Sequence, residues 1–267
     1  MNGPMLCFGD SNTYGYDPRS YLGSRYPTEE RWTGILKGRG WEILNCGENG
    51  REIPHRASEL EALDRLLERS GRLEGIALML GGNDLLQNPA FAAEDVAARM
   101  EEMLGRLLEH SAVRENGAGV LLLVPPPMRP GTWVTEERLL TQSARLGGCY
   151  GALDRRLDIG FADTAPWNVD LTFDGVHFSP GGHRTFAREL EQVLKHICTE
   201  KRRSQTDITL GERGHPDPHR HSEEKSQEDR LHRGHGSPHS GGVRPSAVRH
   251  LPDPRPGGQS GGRDGRR

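Results

Sequence analysis

The sequence predicts an α/β protein in which helices cover both faces of a central five-stranded parallel sheet. Two observations support this fold class. Five short segments are largely apolar without strict alternation, which is typical of strands buried on both faces of a parallel sheet. Stretches with apolar residues at helical spacing separate these segments along the chain. Together they indicate a three-layer α/β/α sandwich.

Each predicted strand ends at residues that favour turns. The first ends at Gly9-Asp10, and the third, which is wholly apolar, runs into Gly81-Gly82. Pro125 stops the fourth, because proline cannot donate a hydrogen bond to a neighbouring strand. The fifth is the weakest of the set. The predicted strands cover residues 5–8, 41–46, 76–80, 120–124 and 158–162.

The helices are predicted from apolar periodicity and from their first residues. Pro54 and Pro180 suit the first turn of a helix, where the missing N–H costs nothing. Val96, Met100 and Leu104 belong to a buried stripe that recurs at helical spacing. The predicted helices cover residues 32–36, 54–70, 92–109, 135–157 and a final stretch that starts at residue 180.

Composition divides the chain in two. Residues 1–200 hold 21 Lys and Arg against 29 Asp and Glu, a net charge of −8, whereas residues 201–267 hold 14 against 9, a net charge of +5. The second stretch contains no Phe, Trp or Tyr, so it cannot bury enough apolar surface to offset the entropy of ordering it. We therefore predict a folded domain over residues 1–200 and a disordered tail, rich in Arg, Gly, Pro and His, over residues 201–267.

The same counts bear on partners and location. An acidic domain argues against nucleic acid as the main partner, since phosphate binding needs clustered Lys and Arg. Nowhere do 18 apolar residues run together, so no membrane association is expected. The four cysteines are widely spaced and lack a Cys-x-x-Cys pair, which favours reduced core residues over a disulfide framework or a metal site. A soluble cytoplasmic protein without a bound metal is predicted.

Ser11 follows the first predicted strand at Gly9-Asp10. A serine held where a strand ends can leave the sheet with its hydroxyl and backbone N–H accessible, as a nucleophile requires. The alternative is an ordinary turn or helix cap, because Asp, Ser and Asn are common in both. The choice depends on whether a base, an orienting carboxylate and oxyanion donors occur later in the chain.

Asp174 and His177 supply the base and its orienting carboxylate. An aspartate three residues before a histidine can accept a hydrogen bond from the ring Nδ1–H and leave Nε2 free to act on a serine. The alternative is a surface turn, since Asp-x-x-His is a common pattern. The motif lies after the last predicted strand, at the sheet edge where we expect Ser11.

Three groups are candidate donors to a developing oxyanion. They are the backbone N–H groups of Ser11 and Gly50 and the side-chain amide of Asn83. Glycine suits a position where the backbone must approach a substrate closely. For Asn83 the alternative is a turn residue beside Gly82.

These motifs resemble the four blocks of the SGNH or GDSL family of serine hydrolases. The matching stretches are Gly9-Asp10-Ser11, Gly50, Gly81-Gly82-Asn83-Asp84 and Asp174-Gly175-Val176-His177, and the resemblance covers residues 5–197. Finer features, such as Glu30-Arg31-Trp32 and Pro125-Pro126-Pro127, are similar to the arylesterase-like branch. Asn12 departs from the family's usual Leu, and Gly47 is the alternative to Gly50 in the second block.

The resemblance implies the SGNH-hydrolase, flavodoxin-like form of the sandwich. It also implies a serine esterase that cleaves small acyl or aryl esters through an acyl-enzyme, with Ser11, His177 and Asp174 as catalytic residues. Ser11, Gly50 and Asn83 would form the oxyanion hole. No metal or organic cofactor is implied, and the partner would be a small-molecule ester. Self-association into homo-oligomers is implied by the resemblance alone.

Aromatic residues near the expected active edge are candidate substrate contacts. These are Tyr14, Trp32 and Trp133, although each could equally pack a loop. They favour a small or aryl ester bound in a narrow apolar site. A carbohydrate O-acetyl esterase would use the same catalytic set and is the closest alternative. A non-catalytic binding module on this fold is less favoured, because every group that the chemistry needs is present.

Overall fold

Five parallel strands form a single sheet in the computed structural model, which describes residues 3–20 and 24–212. The strands are β1 (Met5–Gly9), β2 (Ile43–Gly47), β3 (Gly75–Met79), β4 (Gly119–Leu123) and β5 (Gly160–Ala162). Their order in the sheet is β2-β1-β3-β4-β5, and every pairing is parallel. The five-stranded parallel sheet is confirmed.

The register of the three strands at one side of the sheet aligns their carboxyl ends. Gly9, the last residue of β1, lies opposite Gly47 of β2 and Met79 of β3. The loops that follow these strands therefore leave the sheet side by side. These are the loops that carry Ser11, Gly50 and Asn83.

Helices lie on both faces of the sheet. They are α1 (Ser11–Tyr14), α2 (Trp32–Gly38), α3 (Ala57–Arg69), α4 (Gly82–Gln87), α5 (Ala93–Glu109), α6 (Ser111–Arg114), α7 (Glu137–Leu157) and α8 (Pro180–Glu212). Of the helices that the structure describes, none combines the length and the apolar character needed to span a bilayer.

Alternate residues of each strand pack into two separate hydrophobic cores, one on each face of the sheet. Leu6 and Phe8 of β1 pack with the apolar faces of α3, α5 and α7, whereas Met5 and Cys7 pack with α2 and α8. A strand with both faces buried must be apolar at consecutive positions. This explains why the strands were recognisable in the sequence, and it confirms the three-layer arrangement.

Several element boundaries differ from the sequence-based predictions. The helix predicted from Pro54 begins only at Ala57, because the Glu59 carboxylate accepts hydrogen bonds from the backbone N–H groups of His55 and Arg56 and so caps a later start. The short helices α1, α4 and α6 were not predicted, since four to six residues give too little periodicity to detect.

The end of the chain is described only in part. Helix α8 continues to Glu212, so the domain boundary predicted at residue 200 falls inside a helix. Residues 213–267, which make up most of the predicted disordered tail, lie outside the described residues.

Candidate active site

Ser11 is the first residue of α1, directly after β1. Asp10 caps this helix, since its carboxylate accepts the backbone N–H of Asn12 at 2.9 Å. Burial raises the pKa of Asp10 to about 6, although that hydrogen bond opposes the rise. Gly15 ends the helix in the left-handed region, with φ of 89°. The capped single turn fixes the Ser11 side chain just beyond the sheet.

Asp174 is surrounded by hydrogen-bond donors. One oxygen, Oδ1, accepts from the Thr172 hydroxyl and from the backbone N–H groups of Val176 and His177, each at 2.9 Å. The other, Oδ2, lies 2.7 Å from Nδ1 of His177. Burial alone would raise the pKa of Asp174, but the hydrogen bonds from the His177 ring and from the backbone outweigh it, and the pKa falls to about 2. Asp174 is therefore an anion throughout the neutral range.

His177 contacts both Asp174, three residues before it, and Ser11, 166 residues before it in the chain. Nε2 of His177 lies 3.0 Å from Oγ of Ser11, and the ring's other nitrogen faces Asp174. All three residues are at most 5% exposed. Such a series of hydrogen bonds can hold the imidazole in the tautomer whose Nε2 accepts a proton from a hydroxyl.

Asn12 joins the Ser11 turn to the His177 loop, and sequence reasoning missed this role. Its side-chain Nδ2 donates to the backbone carbonyl of Val176 at 3.1 Å, and its Oδ1 accepts the backbone N–H of Phe178 at 2.9 Å. The two bonds flank His177 and so fix the loop relative to Ser11. The only signal was an amide residue directly after the serine, at the position where the family usually has Leu.

Gly50, in the loop after β2, and Asn83, in the first turn of α4, lie on segments that are joined by hydrogen bonds. Gly50 has φ of 74°, in the left-handed region that favours glycine. Its carbonyl accepts a hydrogen bond from Gln87 of α4 at 2.9 Å. Nδ2 of Asn83, in the first turn of α4, donates to the carbonyl of Arg51 at 3.0 Å. One hydrogen of the Asn83 amide thus holds the loop, which leaves the second for another acceptor.

Arg51 fastens the same loop to the sheet. Its Nη1 donates to the carbonyl of Gly9 at 2.8 Å and to that of Cys46, and the guanidinium lies 4.1 Å from the centre of the Phe8 ring.

Gly47 serves a different purpose from Gly50. A Cβ at Gly47 would lie 2.1 Å from the backbone nitrogen of Tyr14, so only glycine lets β2 approach α1 this closely.

Residues 7–185 match the model of the GDSL-like lipase/acylhydrolase family. The chain belongs to this family. The match covers all four motif stretches that pointed to it in the sequence, and it makes the protein a carboxylic ester hydrolase.

Solved structures of esterases are similar to this GDSL hydrolase. Est24, a carbohydrate acetylesterase from Sinorhizobium meliloti, is 25% identical with a TM-score of 0.64, over 73% of this chain and 100% of its own. The M. smegmatis aryl esterase is 26% identical with a TM-score of 0.63, over 72% of this chain and 99% of its own. A carbohydrate acetylesterase family member from S. meliloti is 28% identical with a TM-score of 0.64, over 73% of this chain and 98% of its own. No curated protein matches the sequence.

Two aromatic rings of the GDSL hydrolase lie against His177. The ring centre of Trp133 is 5.0 Å from that of His177 and nearly perpendicular to it, and Tyr16 lies at 4.8 Å on a tilted plane. Trp133 is 52% exposed, and the neighbouring Phe173 is 59% exposed. Exposed aromatic surface beside the histidine offers a substrate an apolar contact.

The other two aromatic candidates lie elsewhere. Trp32 is 1% exposed, its Nε1–H donates to the carbonyl of Asn12, and its ring packs on Phe186, so the structure places it in the core and its contact with substrate stays a prediction. It is a core residue because α2 turns it towards α8. Tyr14 stacks on Arg25, with 4.0 Å between the guanidinium carbon and the ring centre, and no contact of its ring with the His177 ring is found.

Metal-binding side chains do not gather in the part of the chain that the structure describes. Within residues 3–20 and 24–212, no cluster of three or more His, Cys, Asp or Glu side chains is arranged to hold a metal ion. The four cysteines are free thiols, and burial raises the pKa of Cys7 well above its usual range.

Proposed function

We propose that this hydrolase cleaves small acyl or aryl esters through an acyl-enzyme formed on Ser11. The observation that carries the proposal is the hydrogen-bonded series Ser11–His177–Asp174, with contacts of 3.0 and 2.7 Å. His177 takes the Ser11 proton at Nε2 while Oγ attacks the ester carbonyl, and Asp174 stabilises the imidazolium. His177 then protonates the leaving alcohol. Water repeats the sequence on the acyl-enzyme and releases the acid.

The tetrahedral intermediate needs donors aimed at its oxyanion. We assign this role to the backbone N–H groups of Ser11 and Gly50 and to the free amide hydrogen of Asn83. The bonds from Asn83 to Arg51 and from Gln87 to Gly50 support the assignment, because they hold two of the donors in place before substrate arrives. Donors fixed in advance lose little entropy and need no reorganisation during the reaction.

The aromatic surface beside His177 favours an ester with an apolar acyl or aryl group. Trp133 and Phe173 are the two large apolar side chains of the described residues that are strongly exposed. Both belong to loops joined by backbone hydrogen bonds, from Thr132 to Phe173 and from Trp133 to Asp174, each of 3.1 Å. The apolar contact is therefore fixed relative to Asp174 and, through it, to His177.

A carbohydrate O-acetyl ester is the second candidate substrate. The similarity to Est24 over that protein's whole length favours it. The two candidates differ in the leaving group, which is a phenol or simple alcohol in one case and a sugar hydroxyl in the other. Comparing kcat/KM for phenyl acetate and for a fully acetylated monosaccharide distinguishes them.

Substitution of Ser11 by Ala tests the catalytic proposal. We expect kcat for p-nitrophenyl acetate to fall by about 10⁴-fold or more, because the variant has no nucleophile. Ser58→Ala, at an exposed serine in the first turn of α3, is the matched control and should keep its turnover. A fluorophosphonate probe should label the wild-type protein and the control but not Ser11→Ala. Unchanged turnover in Ser11→Ala would contradict the proposal, and no turnover in the wild-type protein would favour a binding module.

A further inference from the structure

A polar cleft of about 630 Å³ lies along β2, the strand at one edge of the sheet. It is bounded by α2 on one side and by the end of α3 on the other. Four cationic side chains and several hydroxyl groups line it. The cations are Arg25, Arg31, Lys37 and Arg69, and the hydroxyls include those of Thr28 and Ser70.

The positive charge of the cleft is not neutralised by ion pairs. No acidic side chain lines it, and none of its four cations forms an ion pair with a residue that the structure describes. Several arginines elsewhere in the domain are paired, as Arg106 is with Asp64 and Arg99 with Asp84. The cleft is thus a concentrated positive field on a stretch of chain, residues 1–200, whose net charge is −8.

Arg31 contributes a partly buried guanidinium to the cleft. Its Nε is buried and has no hydrogen-bond partner among the described residues, although its Nη2 donates to the Thr28 hydroxyl. Burial, and then the charge of Arg25, lower the pKa of Arg31. Because Nε is enclosed by protein atoms, the outer guanidinium nitrogens of Arg31 are the ones left to contact an anion in the cleft.

Neither protection of the sheet edge nor self-association accounts for the cleft as well as a bound anion does. Cations at a sheet edge can block pairing with another chain, but this needs side chains in solvent, and Arg31 is only partly exposed. A second copy docked edge to edge along β2 would bring two sets of like charges together, which opposes association.

We propose that this cleft binds a small molecule that carries phosphate or sulfate groups. Guanidinium forks match the oxygen geometry of these tetrahedral anions. The Thr28 and Thr33 hydroxyls add neutral donors, because each accepts a hydrogen bond from a neighbouring side chain and keeps its own hydrogen. The volume lies in the range of small-molecule sites and exceeds that needed for a single inorganic ion. The site shares no residue with the proposed catalytic and oxyanion groups, so it goes beyond the proposed esterase function.

The cleft nevertheless touches the helix that begins at Ser11. Arg25 donates to the carbonyl of Tyr14 at 2.8 Å, and Asn45, on the cleft floor, donates to that of Thr13 at 2.7 Å. Variants at these two positions would disturb α1 as well as the cleft. Lys37 and Arg69 are exposed and make no such contact, so they are the positions to change.

The test is calorimetric titration of the full chain with tripolyphosphate at low ionic strength. The wild-type protein should bind it at one site, and Lys37→Ala/Arg69→Ala should bind about 100-fold more weakly, about tenfold for each lost charge-assisted contact. Arg65→Ala/Arg114→Ala removes the same net charge outside the cleft and should bind like the wild-type protein. Both double variants should keep full turnover of p-nitrophenyl acetate.

Competition by glucose 6-phosphate and by glucosamine 6-sulfate then distinguishes a phosphate ligand from a sulfate ligand. Displacement of tripolyphosphate by either compound supports the site. Equal binding by the wild-type and Lys37→Ala/Arg69→Ala proteins would overturn the proposal, because the anion would then be held elsewhere, for example by the basic residues after residue 212. An absence of tripolyphosphate binding to the wild-type protein would overturn it as well.

Discussion

Asp174→Asn is the substitution whose effect follows most directly from the hydrogen bonds of the site. The carboxylate accepts three donors at Oδ1 and only Nδ1 of His177 at Oδ2. Asparagine has one oxygen and one NH₂ group in the same shape. Its oxygen satisfies most donors when it takes the place of Oδ1, and the NH₂ group then faces Nδ1.

A donor opposite Nδ1 favours the imidazole tautomer that carries its hydrogen on Nε2. That tautomer cannot accept the proton of Ser11, whose Oγ lies 3.0 Å from Nε2. We therefore expect kcat to fall by about 10⁴-fold, which corresponds to about 5 kcal/mol of transition-state stabilisation. KM should change little, because neither tautomer alters the aromatic surface beside the site.

The substitution also removes a stabilising charge. The pKa of Asp174 in the folded protein is about 2, below the ordinary value of 3.8, so the folded state favours the anion. This contributes about 2 kcal/mol to the free energy of unfolding above pH 4, and the contribution is lost as the pH falls towards 2. Asp174→Asn should therefore be less stable at pH 7 and should lose less stability on acidification than the wild-type protein.

The assay is kcat and KM for p-nitrophenyl acetate at pH 7, with the free energy of unfolding measured in urea. Asp163→Asn is the control, because it removes the same charge from a carboxylate that accepts the backbone N–H of Ala165 in a turn. Its kcat should stay within about twofold of the wild-type value, as for substitutions outside special sites. If folded Asp174→Asn kept more than about a tenth of the wild-type kcat, Asp174 could not be the residue that sets the tautomer.

Two further predictions concern Asn83 and His183. If Asn83 supplies an oxyanion donor, Asn83→Ala should lower kcat by about 10² to 10³-fold. Gln87→Ala removes only the hydrogen bond to the Gly50 carbonyl and should lower kcat far less. Equal losses of kcat in the two variants would mean that Asn83 only holds the loop in place. Burial, and then nearby cationic charge, lower the pKa of His183 to about 3, so the protein should lose about 2 kcal/mol of stability through this residue as the pH falls from 6.5 to 4.5. The difference in the free energy of unfolding in urea between the wild-type protein and His183→Gln should narrow by about 2 kcal/mol between pH 6.5 and 4.5. Asp10, whose pKa is raised, changes stability in the opposite direction, but it does so in both proteins, so its contribution cancels in the difference. A difference that stays constant with pH would contradict the assignment.

Much of the fold could be predicted because its signals are local. Each strand of a doubly covered parallel sheet is apolar along its own length, and each long helix repeats its apolar face, so neighbouring residues suffice to recognise them. Helices α1, α4 and α6 are too short to show a repeat. The start of α3 was misplaced because the bonds of Glu59 decide it rather than Pro54.

The candidate site shows the same division. Ser11, Asp174 and His177 could be picked from the sequence because their chemistry requires particular residue types, and because strands in a parallel sheet bring their carboxyl ends to one edge. The 2.7 Å contact of His177 with Asp174 is local, but the 3.0 Å contact of His177 with Ser11 joins two loops more than 160 residues apart in the chain, and Asn12 bridges the same two loops.

Side-chain direction was decided by tertiary packing alone. Trp32 and Trp133 are the same residue type in loops or short elements near the site, yet one is 1% exposed in the core and the other 52% exposed beside His177. The cleft along β2 likewise gathers cations from three separate parts of the chain, 25–31, 37 and 69. The sequence by itself determined the order of the strands along the chain and the chemical groups available, because both are properties of short segments. Only the tertiary structure decided which of those groups meet, because long-range packing sets the distances between them.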